Sequence, residues 1–117
     1  MPHQIDETMR DCIEECQVCF ALCTETTQHC LEMGGAHAER THIRTLIDCA
    51  EACQSAAAFM LRSSPLHAST CGVCADACDA CAEECERLAG DDDVMTRCAE
   101  MCRQCAESCR TMSQQAA

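Results

Sequence analysis

Residues 12–23 read CIEECQVCFALC and place cysteine at Cys12, Cys16, Cys19 and Cys23. The steps of four, three and four repeat one face of an α-helix. Cys30 extends the stripe by a step of seven. The same pattern returns as CAEAC at 49–53, CGVCADACDACAEEC at 71–85 and CAEMCRQCAESC at 98–109. Those stretches hold Cys49, Cys53, Cys71, Cys74, Cys78, Cys81, Cys85, Cys98, Cys102, Cys105 and Cys109. At 100° per residue the first and fourth sets each fall within an arc of about 60°, and the third within about 80°. These are seam positions, where a helix bundle ordinarily carries Leu.

Helical periodicity extends outward from each stripe. The first segment runs from Asp6 to Met33 and stops at Gly34-Gly35, a helix C-terminal signal. The second runs from Ala38 to Arg62 and ends at Ser63-Ser64-Pro65. The third runs from Leu66 to Ala89 and ends at Gly90. Asp91-Asp92-Asp93 supplies an N-cap for the fourth, which reaches Met112. Four helices of similar length with short connections predict an all-α, antiparallel up-down-up-down four-helix bundle with a cysteine-lined core. The second helix carries only one cysteine pair, and its stripe continues through His42, Leu46, Ala56 and Met60.

The 117 residues suit one domain over 1–117. Sixteen Cys against two Phe, no Trp and no Tyr mean that ordinary aliphatic and aromatic packing does not fill the middle. The N-terminus MPHQIDETMRDC has no basic region leading into an apolar stretch, so no signal peptide is expected. No segment approaches a membrane span. In a reducing cytoplasm, dense cysteine points to metal before disulfides. The formal charge of −12, with every basic residue an Arg, disfavours nucleic acid and anionic membranes as partners.

Residues three or four apart on a helix point their Cβ atoms the same way, which strains a disulfide between them. Zinc sites also use CxxC, but take four ligands in a tetrahedron, usually from a turn plus a distant pair. Here the CxxC steps lie inside helical repeats, with Gly72 the one candidate knuckle, and CxxxC steps accompany them. Iron–sulfur clusters likewise draw four sulfurs around a compact core, commonly from loops. Cu(I) is soft, prefers thiolate and accepts two or three ligands. Sixteen bare thiolates in a low-dielectric core would be prohibitive. Each Cu(I) displaces one proton, so one ion per thiolate leaves the core neutral. Neutrality therefore favours bridging sulfurs and a load of multiple Cu(I), about one per cysteine.

These four cysteine-rich stretches resemble the four-helix-bundle copper storage proteins over nearly the whole chain. The resemblance implies Cu(I) held by cysteines inside a bundle, often a homotetramer, and makes all sixteen cysteines candidate ligands. Lacking a signal peptide, the chain looks like the cytosolic type. Cys30 has no partner three or four residues away.

Met33, His42 and Met95 fall near one end of the bundle, where thioether and imidazole would suit a mouth for Cu(I). The competing reading has Met capping the core and His facing solvent, and it is the favoured one for each. Met9, Met60 and Met112 gather at the other end, and His3, His29, His37 and His67 read as surface or loop residues. Glu39 and His42 match half of a di-iron ExxH motif, but no second ExxH exists. No Ser/His/Asp set or phosphate loop appears. The expectation is a non-enzymatic cytoplasmic Cu(I) store, limiting free copper and supplying copper enzymes. The alternatives are a zinc or general thiophilic-metal buffer and a thiol redox protein.

Overall fold

The computed structural model describes residues 5–115, and His3 lies outside them. Four α-helices follow one another: α1 (Glu7–Met33), α2 (Arg40–Leu61), α3 (His67–Ala89) and α4 (Asp93–Ser113). No strand occurs among the described residues. Each helix packs on the next, and α4 closes on α1, so the four surround one axis. The body measures 51 × 20 × 18 Å, one helix long and two helices wide.

Local chemistry sets the helix ends. Asp6 accepts the Met9 N–H at 2.8 Å and starts α1. Gly34 ends it at φ 71°, ψ −167°, a conformation in which a Cβ is strained. The second helix starts later than the sequence suggests. A 3-10 turn, Gly35–Ala38, intervenes, and the exposed Glu39 caps α2 by accepting the Thr41 N–H at 3.2 Å. Glu39 thus serves as a cap, in keeping with a chance ExxH match. Arg62 to Ser64 close α2 with paired bonds, Ser63 N–H to the Met60 carbonyl and Ser64 N–H to the Phe59 carbonyl, both 2.9 Å. Ser63 takes the left-handed conformation there, at φ 54°. Gly72 is no knuckle: it lies inside α3, where a Cβ would sit 3.7 Å from the Ser113 Cβ.

The core is built from sulfur and small side chains. Ala75 and Ala82 on α3, Ala99 and Ala106 on α4, and Ala50 and Ala57 on α2 are buried beside the cysteines at seven-residue spacing. Ile13, Leu46, Met60, Met95 and Met112 are the large apolar side chains fully enclosed. Outside the core, Arg103 and Arg110 tie α4 to Glu86 and Asp79 of α3. Such exposed pairs contribute little each.

Asp92 has two roles at the α4 start. It accepts the Met95 N–H at 3.1 Å and binds His29 Nε2 of α1 at 2.7 Å. The His29 contact, then the backbone N–H, hold its carboxyl below the ordinary range. Because the folded-state value is depressed, this stabilisation is present above the unfolded carboxyl range and lost as pH falls through the folded one. Asp92→Ala is expected to lower the stability of the reduced, metal-free protein by about 1–2 kcal/mol at neutral pH. Urea unfolding followed by circular dichroism checks this, and the deficit should vanish in strong acid.

Candidate metal centre

All sixteen cysteines are free thiols with no solvent exposure. Their helical spacing explains why: each stripe faces the axis, and four stripes face one another. The sulfurs meet mainly between helices. Cys16 Sγ lies 3.5 Å from Cys109 and 3.7 Å from Cys105. Cys23 lies 3.6 Å from Cys49, 3.8 Å from Cys98 and 3.7 Å from Cys102. Cys53 lies 3.6 Å from Cys74, and Cys49 lies 3.6 Å from Cys78. Contacts within a helix also occur, as Cys19–Cys23 and Cys74–Cys78 at 3.9 Å.

These contacts form sulfur groups whose members all lie within 4.8 Å of one another. Four groups hold four sulfurs: Cys16, Cys74, Cys105, Cys109; Cys19, Cys53, Cys78, Cys105; Cys19, Cys23, Cys49, Cys102; and Cys23, Cys81, Cys98, Cys102. Cys12, Cys71 and Cys109 form a three-sulfur group. Continuous stripes therefore do surround single points with four sulfurs, contrary to the spacing argument made against zinc. One helix cannot do this, but four facing helices can. The groups share corners at Cys19, Cys23, Cys102, Cys105 and Cys109. A shared corner cannot serve two separate tetrahedral sites, but it can bridge two metal ions.

Burial opposes ionisation of these thiols. In so coupled a stack the first thiolate draws hydrogen bonds from its neighbours and each further one meets a charge already there. The metal-free core accordingly packs as neutral thiols, which behave as small hydrophobes.

Cys30 and Cys85 stand outside the sulfur groups. Cys30 has other company. Its Sγ lies 3.4 Å from His42 Nε2, 3.3 Å from Met95 Sδ and 3.9 Å from His37 Nδ1. Burial, then the charge of Asp92, push the Cys30 thiol up to about 11. His42 is fully buried, so the favoured reading that it faces solvent fails. Burial lowers its basicity, outweighing the Glu84 carboxylate 3.6 Å from Nδ1. Glu84 itself is held down first by its hydrogen bonds from Arg87. Met95 is also fully enclosed. Met33 is 57% exposed and joins neither. Sequence spacing missed His37, because it reaches Cys30 through the 3-10 turn and no helical period crosses that break. His29 and His67 are half-buried rather than free surface groups.

The copper storage protein family model matches residues 5–114. The chain belongs to the copper storage protein family. Among solved structures, a protein from Nitrosospira multiformis is 46% identical, with a TM-score of 0.86 over 92% of this chain and 96% of that one. The Cu(I)-bound copper storage protein BsCsp3 is 36% identical, with a TM-score of 0.84 over 92% and 99%. A cytosolic copper storage protein from Streptomyces lividans, described with five coppers, is 34% identical, with a TM-score of 0.81 over 95% and 96%. A comparison with curated proteins gives no match.

The burial of every thiol has a direct readout in this copper storage protein. Under anaerobic, reducing-agent-free conditions, a disulfide thiol reagent should titrate sixteen thiols in denaturant. In the folded, metal-free protein it should react slowly, limited by opening of the bundle. Prompt reaction of most thiols in the folded state would contradict the enclosed core.

Proposed function

We propose that this chain is a cytoplasmic Cu(I) store, acting as one domain, that binds about one ion per cysteine through all sixteen core sulfurs. The corner-sharing of the sulfur groups carries this reading, because it favours bridging thiolates over separate sites. Charge agrees with geometry. Each Cu(I) that enters releases one thiol proton, so the core stays neutral as it fills. The relatives support the cargo, being described as Cu(I)-bound or copper-loaded. Cytoplasmic placement rests on the relative described as cytosolic, and no described helix is long and apolar enough to cross a membrane. Homotetramer assembly rests on the family resemblance. The role is storage and sequestration rather than catalysis.

Anaerobic titration of the reduced protein with Cu(I), in competition with a Cu(I) chelator, tests the store. The expected end point is about sixteen ions per chain. With no Trp or Tyr, Cu–thiolate absorbance rises from a clear ultraviolet background. Saturation at one to four ions would sink the storage reading. Tetrahedral zinc retained in preference to Cu(I) would favour the thiophilic buffer. Reversible disulfides of defined potential would favour the redox reading.

The mouth belongs to the same proposal, with Cys30, His42 and Met95 as its ligands and His37 beside them. Met33 has no place in it. Cys30→Ala should lower capacity by about one ion and slow uptake of the remainder, read by stopped-flow absorbance. Unchanged uptake would remove Cys30 from the path.

A further inference from the structure

Thr26 stands where the α1 stripe lacks a cysteine. It lies three residues after Cys23 and four before Cys30, on the same helix face. Its side chain is fully buried, and Oγ1 has no hydrogen-bond partner among the described residues. Helical threonines usually solve this problem by donating to the carbonyl four residues back. Thr24, Thr27, Thr45, Thr70, Thr96 and Thr111 all do so in this protein, at 2.8–3.2 Å. Thr26 does not, although the Leu22 carbonyl stands in the equivalent place.

The facing position on α2 offers no partner either. Contacts of Cys23 with Cys49 and of Cys30 with His42 fix the antiparallel register of α1 and α2. That register sets Thr26 opposite Leu46, which has no polar side-chain atom. Leaving a buried hydroxyl unpaired destabilises the metal-free fold, whereas Val would fill nearly the same space without that cost. A neutral thiol is a weak acceptor; a sulfur bound to Cu(I) carries negative charge and is a strong one.

We propose that the Thr26 hydroxyl is reserved for the loaded state, in which it donates to the metal-bound sulfur of Cys23 or Cys30. This rests on the storage reading. Cu(I) replaces the thiol proton, which leaves to solvent, and no electron is transferred. The new sulfur acceptor then draws the hydroxyl one turn away on the same helix face. Thr26 is therefore an affinity-determining residue that touches no metal ion. It biases the level next to the mouth toward retention.

Thr26→Val separates the two states. The urea midpoint of the reduced, metal-free variant should rise above that of the parent protein. In chelator competition, the variant should hold one or two of its Cu(I) equivalents about tenfold more weakly and the rest unchanged. Thr26→Ser should restore retention. A variant that holds every equivalent as the parent does would overturn the donor role. A lowered metal-free midpoint would show that the hydroxyl is already satisfied and would overturn its reserve. Failure of the parent protein to take up more than four ions would sink the storage reading together with this one. A failed comparison between variants sinks this one alone.

Discussion

Contact between sulfurs across a dry helix seam is the constraint on which the remaining structure depends. Cys109 within 3.5 Å of Cys16, and Cys23 within 3.6 Å of Cys49, require backbones to approach more closely than a Leu seam allows. The alanines at seven-residue spacing on α2, α3 and α4 permit that approach. Large side chains are accordingly displaced from the middle. Met60 and Met112 lie in the α2 and α4 end turns, and Leu46 and Met95 mark levels where sulfur is thinner. A bundle of this kind gains little from aliphatic burial and correspondingly more from helix caps and uniform small-residue packing.

The same contacts define how charge is handled. Neutral thiols let the chain fold without metal, and burial keeps them neutral. Metal entering such a scaffold would exchange one proton per ion. Shared corners at Cys19, Cys23, Cys102, Cys105 and Cys109 make the groups interdependent. A sulfur at a shared corner can reach an ion in either of two groups. The exposed acidic surface, with a formal net charge of −12, stands outside this balance. It keeps the protein soluble and raises local cation concentration without entering the core.

Much of this was legible in the sequence. The three- and four-residue steps, with one step of seven to Cys30, placed the cysteines on the axis, and Asp6, Gly34, Gly90 and Asp92 marked helix ends within a residue or two. Inter-helix register was not legible, because it depends on how four faces mesh rather than on any one period. For that reason the four-sulfur groups were unforeseen, and spacing within single helices gave a misleading argument about tetrahedral ligation. His42 could be placed on the α2 stripe, yet its contact with Cys30 depends on the α1–α2 register. His37 depends on a turn with no periodic signal. Thr26 drew no attention in the sequence, because only its unpaired hydroxyl distinguishes it from an ordinary small core residue.

The level between the mouth and the sulfur groups has its own character. At Thr26 and Leu46, α1 and α2 contribute no sulfur, and only α3 and α4 continue the stripe through Cys81, Cys85 and Cys98. Outward of it, Cys30 meets imidazole and thioether. Inward of it, the sulfur groups contain cysteine alone. Thiolates bind Cu(I) more strongly than neutral nitrogen or thioether donors. The donor sets therefore run from mixed sulfur and nitrogen at Cys30 to cysteine sulfur alone further in. Under the storage reading, that order of donor types would add to the Thr26 hydroxyl in favouring retention, with no moving part required.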